Sequence, residues 1–460
     1  MLFAFLFIMK RQMTINYTLK FLLLLSAAWV TALPAQMLWT VDDCMRYAIE
    51  QNLEIKNSRL DTRIAGQDVL AAAGDFLPSV GTTGALGKQM GRSVDPKTNL
   101  YTSTSFLENT VGLYVALPVF DGFTRINRLQ FRKLNKQISG LTEKAEENRV
   151  AFEVLDAFYR LRFDEKMLEL AREQRKLSER YQEQMTEYVE IGMRSPSDLQ
   201  EVKARLQSDI YQEAVRENGY RLSLLALKEL LNMPDSATLA ICPEDTTGSE
   251  RMEMPDVSAD QVYAQSETVL PQFRAMELTE KASRKSLAIA AGAFSPSIKA
   301  EFSLNSRYFD TERNEAGEIV PWSDQMKNNK MKYIGVSVSF PLFSGFSRYT
   351  GVRKERFRLQ QVRNRNDRER LSLRKEIEEA CISLRAAVEE HRQAAEQLRA
   401  STIMLEENEE RWEEGMISVF ELMEKRNLYM AAKAELVRTR LQYDLKKRTV
   451  EFYRTGTFLF

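Results

Sequence analysis

One histidine, His391, and three cysteines, Cys44, Cys242 and Cys381, are all that the 460 residues offer for imidazole or thiol chemistry. The cysteines stand far apart with no metal-ligand spacing, so at most one disulfide is open to them. A single histidine cannot build an imidazole metal site, and no nucleophile–histidine arrangement or glycine-rich phosphate loop is present. No cofactor, metal or catalytic residue is therefore expected. Charge of one sign is missing too: 65 Lys and Arg stand against 65 Asp and Glu. That balance gives no electrostatic case for nucleic acid or an anionic surface. No apolar run reaches the roughly 18 residues that a membrane-spanning helix needs. Proline is also absent where it would matter. From Phe123 to Ile191 there is none, and the only glycine is Gly140.

The N-terminus reads as an export signal. Lys20 is followed by the apolar run Phe21–Val30 and by Ala32-Leu-Pro-Ala35, a small-residue cleavage site. Residues 1–35 are the expected signal peptide, cut between Ala35 and Gln36, with Met13 an alternative start. No cysteine beside that site could take a lipid.

What the chain does have is an internal copy of itself. Pro118-Val-Phe-Asp-Gly-Phe-Thr-Arg125 returns as Pro341-Leu-Phe-Ser-Gly-Phe-Ser-Arg348, an offset of 341 − 118 = 223 residues. Gly192-Met193 falls on Gly415-Met416 at the same offset. Gly74-Asp-Phe-Leu-Pro-Ser79 matches Gly292-Ala-Phe-Ser-Pro-Ser297 at 292 − 74 = 218. This is a domain-sized unit used twice rather than a solenoid of short repeats. Repeat 1 covers 36–232, an irregular proline-containing linker covers 233–257, and repeat 2 covers 258–460.

Each repeat predicts the same elements. Short helices come first, with Asn52 marking a break. Two strands follow, about 79–88 and 109–120, then 297–307 and 331–343. Their period-two alternation keeps its register between copies: Val111, Leu113, Val115 and Leu117 fall on Ile334, Val336, Val338 and Phe340. Long helices are expected over 123–191 and 346–414, about 68 residues or roughly 100 Å at 1.5 Å per residue. In the second, Ile377, Cys381, Leu384, Val388, His391, Ala395, Leu398, Thr402 and Leu405 form a 4-3-4-3 stripe, the narrow seam of a coiled coil. His391 is then a seam residue. Gly192 and Gly415 end these helices. Ser195-Pro-Ser-Asp198 and Ser418-Val-Phe-Glu421 are capping boxes that open return helices over 196–231 and 419–453.

Four strands cannot seal themselves against lipid, because backbone groups in hydrocarbon must all pair and known barrels have at least about 8 strands. If the strands span a membrane, several chains close one barrel, continued by helices with water on both faces. The fold class is mainly α with transmembrane β. A periplasmic coiled-coil adaptor or scaffold without a pore is the alternative that the helices alone would allow.

The chain resembles the outer-membrane efflux protein (TolC) family. The resemblance is carried by Leu117–Arg125 and its copy, Phe76-Leu-Pro-Ser79, Val41–Leu53 and the two Gly-Met turns. It implies a homotrimer whose 3 × 4 = 12 strands form an outer-membrane barrel, prolonged by a periplasmic α-helical barrel. Such proteins are exit ducts of tripartite efflux pumps and type I secretion systems, joined by a periplasmic adaptor to an inner-membrane transporter. The resemblance places Asp198, Glu201, Glu421 and Glu424 at an acidic periplasmic constriction, although Asp198 and Glu421 are also plain helix-capping acids. It assigns adaptor docking to the tips Gly192, Met193, Arg194, Gly415, Met416 and Ile417, where helix reversal alone would account for the glycines. The tyrosine–arginine latch of some members is not matched, since Trp412 and Ile417 occupy those positions; Tyr188 and Arg194 are possible substitutes. Pro118, Gly122, Pro341 and Gly345 are the joints between strand and helix. Tyr114, Phe120, Phe340 and Phe343 suit an interfacial girdle or ordinary packing.

Overall fold

The computed structural model describes residues 38–94, 99–234, 236, 238–242, 252 and 258–458. The expected signal peptide and most of the linker lie outside these residues. In repeat 1 the elements are β1 (Leu38–Trp39), α1 (Val41–Gln51), α2 (Leu53–Gly74), β2 (Ser79–Val94), β3 (Tyr101–Phe120), α3 (Thr124–Glu190) and α4 (Pro196–Leu230). Then come β4 (Ala240–Ile241), α5 (Ala259–Val269), α6 (Pro271–Gly292), β5 (Ser297–Phe309), α7 (Trp322–Asn328), β6 (Met331–Ser339), α8 (Ser347–Glu413) and α9 (Val419–Thr455). Among the described residues no helix is long and apolar enough to cross a membrane. The described residues fall into two compact units. One is drawn from the described residues within 38–48, 154–242 and 403–437, the other from those within 49–153, 252–402 and 438–458.

In the unit that contains β1, Leu38 and Trp39 pair in parallel with Ala240 and Ile241. The irregular linker is thus corrected at one point. Leu239 and Ile241 are each only 7% exposed, so a buried apolar pair draws that stretch into a small sheet.

The other unit holds a four-stranded antiparallel sheet in the order β2-β3-β5-β6. Its register places the apolar residues of all four strands on one face. Val80 faces Val115, which faces Phe302, which faces Ile334; Leu117 faces Ala300, which faces Val336. The opposite face carries Gly112 beside Asn305, and Ala116 beside Glu301 beside Gly335. A sheet of a water-soluble domain would bury its apolar face. Here Val80, Leu86, Ile334, Val336 and Val338 are exposed, Ile334 at 82%.

Strand lengths differ from expectation. β2 and β3 extend to Val94 and back to Tyr101, because a hairpin is held by backbone pairing that polar Lys88, Gln89 and Arg92 do not interrupt. β6 stops at Ser339 instead of 343. β3 pairs through Pro118, with a register shift before Phe120, because β5 lies beside it. The matching residues after β6 are at a sheet edge, and among the described residues no strand pairs with them. The loop between β5 and β6 contains α7, tied down by Gln325, which is 1% exposed. Its amide donates to the Phe309 and Val320 carbonyls at 2.9 Å, and its oxygen accepts the Phe309 N–H at 2.9 Å.

Helix boundaries follow local chemistry. The Asn52 side chain accepts the N–H groups of Glu54 and Ile55, separating α1 from α2. Pro271 does the equivalent for α6, taking the first helical turn, where its missing N–H costs nothing. The expected α8 stripe is buried or half-buried at every position except Ala395, which is exposed. Ala380, Ala387, Ala394 and Ser401 are buried beside it, so the seam is wider than the 4-3-4-3 spacing alone. Small residues at the seam let Tyr443 and Val450 of α9 pack close against Ile377 and Leu384.

Candidate functional site

Two features stand out physically: the paired helix turns in one unit and the strand–helix joints in the other.

At both turns the chain reverses in the same way. Gly192 and Gly415 each have φ +78°, a region open to glycine at little cost. Met193 N–H reaches back to the Tyr188 carbonyl at 2.8 Å, and Met416 N–H to Arg411 at 2.8 Å, closing both helices with the same six-residue motif. Reciprocal capping then opens the return helices. Asp198 N–H donates to Ser195 Oγ at 3.2 Å, and the Asp198 carboxylate accepts Ser195 N–H at 3.2 Å. Ser418 and Glu421 repeat this at 3.4 and 3.2 Å. Asp198 and Glu421 therefore serve as caps. Glu201 and Glu424 are exposed on the following turn, Glu424 lying 3.8 Å from Lys425.

Met193 and Met416 are each 66% exposed. Ile417, expected at the tip surface, is not: it is 8% exposed and packs with Trp412, Val419 and Leu422. Burial of Ile417 ties the second turn to its own hairpin, so Ile417 offers no side chain to a partner. Arg194 is also engaged within the chain. It donates to the Trp412 carbonyl at 3.0 Å, and its guanidinium lies 5.9 Å from the Trp412 ring centre. Tyr188 leans on the same ring at 6.0 Å, and Tyr181 meets it edge-on at 5.7 Å.

Beneath this aromatic cluster lies a polar group that sequence reasoning missed. Arg426 is 1% exposed and Asp209 is 2% exposed. Arg426 donates to Ser178 Oγ at 3.1 Å and to the Gln174 carbonyl at 2.6 Å, and sits 5.4 Å from the Tyr181 ring centre. Asp209 accepts from the Ser178 hydroxyl, from Gln174 at 2.8 Å and from Arg205 at 3.2 Å. Burial pulls the Arg426 guanidinium down from its ordinary range, and Asp209 partly offsets this. Burial, with Glu409 beside it, pushes the Tyr181 hydroxyl up. Both residues interrupt apolar stripes, Val419–Leu422–Met423–Met430 and Val202–Leu206. That was the available signal. The repeat concealed it, because 426 − 223 gives exposed Lys203 and 209 + 223 gives buried Ala432.

At the first joint Gly122 (φ +69°) is followed by Phe123 (φ +62°), and at the second Gly345 (φ +55°) by Phe346 (φ +63°). Two successive left-handed residues swing the strand into its helix. A phenylalanine there carries strain of about 1–2 kcal/mol. Edge-on ring pairs, Phe120–Phe123 and Phe343–Phe346, brace both. Pro118 contributes its carbonyl to Arg125 at 2.6 Å. Pro341 follows the end of β6 and lines an open groove. The joints differ in packing. A Cβ at Gly122 would lie 2.4 Å from the Gly292 carbonyl, whereas one at Gly345 would meet nothing within 4 Å. Among the described residues no cluster of side chains could hold a metal ion.

Residues 45–233 and 263–453 match the family model described as outer membrane efflux protein. Among solved structures, the chain is similar to the Campylobacter jejuni CmeC outer membrane channel (TM-score 0.75, 15% identity, 90% of this chain and 85% of that chain). It is similar to VceC from Vibrio cholerae (0.73, 11%, 91% and 96%). It also resembles the open state of the Neisseria gonorrhoeae MtrE outer membrane channel (0.67, 16%, 91% and 89%). At such identities the likeness concerns the fold. No curated protein sequence matches the chain.

Proposed function

The chain belongs to the outer membrane efflux protein family, and from that premise we propose that three copies close one 12-stranded barrel to make the exit duct of a tripartite pump. It is an outer-membrane efflux channel with a periplasmic helical domain, and not an enzyme. The observation that carries the reading is the sheet: apolar and exposed on one face, polar on the other, with β2 and β6 as free edges. Lipid outside and water inside suit those faces, and further copies suit the edges. A non-pore scaffold would leave the apolar face without a purpose.

One glycine contact, made at the first joint and unmade at the second, supports the same assembly. Gly122 of repeat 1 packs against Gly292 of repeat 2. The equivalents are Gly345 (122 + 223) and Gly74 (292 − 218), and neither would meet anything within 4 Å of an added Cβ. They are the two halves of one contact, completed between neighbouring copies.

Glu201 and Glu424, with Asp198 and Glu421 behind them, form acidic rings at the periplasmic mouth that favour cations. Met193 and Met416 are the contacts for a periplasmic adaptor, which couples the duct to an inner-membrane transporter; methionine tolerates imperfect partner shapes. The test is single-channel recording in planar bilayers. E421A/E424A should weaken block by multivalent cations while leaving trimers intact. Unchanged block would remove the acidic-ring assignment, and an absence of any conductance would remove the duct.

A further inference from the structure

The two repeats treat one arginine differently. In repeat 1, Arg125 is 8% exposed and fully engaged. Its Nε lies 3.0 Å from the Asp121 carboxylate, and its Nη1 donates to the Asp75 and Pro118 carbonyls at 3.2 and 2.6 Å. The Phe76 ring lies beside it at 5.5 Å. Repeat 2 keeps the cation and drops its acid partner: Arg125 becomes Arg348 (125 + 223) and Asp121 becomes Ser344 (121 + 223). Ala293 (75 + 218) stands where Asp75 lends Arg125 only a backbone carbonyl, the Asp75 carboxylate being paired with Arg128. Among the described residues the Arg348 side chain has neither an ion pair nor a hydrogen bond.

The space around it is open. Phe294, Pro341, Leu342, Phe343, Phe346 and Arg348 line a groove of about 310 Å³. Leu342 is 88% exposed and Phe343 79%. The groove continues the exposed apolar line Ile334, Val336, Val338, Phe340 and Leu342 along the face of β6 that the proposed barrel turns toward lipid. More uncompensated positive charge follows on α8. Arg353 donates to the Tyr349 hydroxyl at 3.0 Å and stacks on Tyr349 and Phe357, and neither Arg353 nor Arg356 has an ion pair among the described residues. The start of α8 adds its dipole to the same field.

We propose that this groove binds an anionic glycerophospholipid of the surrounding membrane. The lipid phosphate takes, at Arg348, the place that the Asp121 carboxylate holds at Arg125, and an acyl chain lies over Leu342, Phe343 and Phe346. An apolar wall alone would accept any lipid. The unpaired guanidinium selects an anionic one through charge-assisted hydrogen bonds. The proposal rests on the sheet lying in the membrane, as inferred above.

The test is native mass spectrometry of the detergent-purified assembly titrated with phosphatidylglycerol, with phosphatidylcholine, and with inorganic phosphate alone. Three proteins are compared: the unaltered protein, Arg348→Gln, and Ser344→Asp, which restores the internal acid of repeat 1. Phosphatidylglycerol should be retained in preference to phosphatidylcholine, up to one per chain. Both variants should lose this retention about tenfold, the scale of one hydrogen bond to a charged group, while assembly and conductance persist. Equal retention in all three proteins overturns the proposal. So does full competition by inorganic phosphate, which would mean a simple anion site. A Leu342→Cys thiol shielded from a water-soluble maleimide in lipid-free assemblies would also overturn it, by showing that a second copy covers the groove. If conductance were lost throughout, the duct reading would have failed rather than the lipid site.

Discussion

At the scale of single residues, the most consequential feature is a charge placed where the pattern calls for an apolar side chain. Arg426 lies in the stripe of α9 and Asp209 in that of α4, bridged by Ser178. Removing one member of a buried ionic group leaves the other desolvated, which costs about 3–5 kcal/mol. Arg426→Met should therefore destabilise the helical turns by about that amount in denaturant unfolding followed by tryptophan fluorescence. Adding Asp209→Asn should recover part of the loss. An additive double mutant would show that the two charges do not communicate. His391 is the second residue with a readable consequence. Its Nδ1 lies 3.1 Å from the Thr439 hydroxyl, and burial, followed by the charge of Arg440, holds its pKa below the ordinary histidine value. The unfolded chain then binds the extra proton more readily than the folded one. Stability is full above the unfolded value of about 6.5 and is lost as pH falls through the lowered folded value. His391→Gln should flatten the mildly acidic part of the stability–pH curve. If the curve is unchanged, the histidine carries no such linkage.

At the scale of elements, what could be read from the sequence was whatever obeys a period or repeats. The alternation of Val111–Leu117 and Ile334–Phe340 determined the faces of the sheet. The Gly-x-x-Ser turns determined where helices reverse, because a left-handed glycine and a capping serine leave a local mark. What escaped depended on neighbours in space. The α8 stripe is legible through Ile377, Cys381, Leu384 and Leu405, whereas Ala380, Ala387 and Ala394, buried beside it, escape because hydropathy alone ranks alanine low. Ile417 reads as a tip residue because it follows the exposed Met416, and only the cluster around Trp412 explains its burial. The left-handed Phe123 and Phe346 could not be anticipated, since a phenylalanine is a poor choice for that region. The joints give a prediction at this scale. In Gly122→Ala the new methyl collides with the Gly292 backbone, in addition to the strain of a positive φ, and should lower the yield of folded protomer. In Gly345→Ala the protomer should fold with only the backbone penalty, while assembly weakens. Protease resistance of the protomer and the fraction of assembled oligomer separate the two. Equal effects on folding would argue against the unmatched contact.

At the scale of the whole molecule, the account depends on one copy completing another, and the repeat supplies the register of that pairing. Within the chain, Leu113 of β3 lies opposite Leu304 of β5. Adding 223 to the first and subtracting 218 from the second places Val336 of β6 opposite Leu86 of a neighbouring β2. The next pairs, Val338 with Gly84 and Phe340 with Thr82, follow from Val115–Phe302 and Leu117–Ala300. Every one of these residues belongs to the apolar face of its strand, which an incorrect register would not deliver. Pairing of this kind would also extend β6 past Ser339 by giving Phe340 a partner. The most direct measurement is oxidative crosslinking of Val336→Cys/Leu86→Cys in a background where Cys44, Cys242 and Cys381 are alanine. The account predicts disulfide-linked chains ending at a trimer on non-reducing gels, and much weaker linkage for the shifted pair Val336→Cys/Thr82→Cys. Monomers alone, or equal linkage in both pairs, would contradict it.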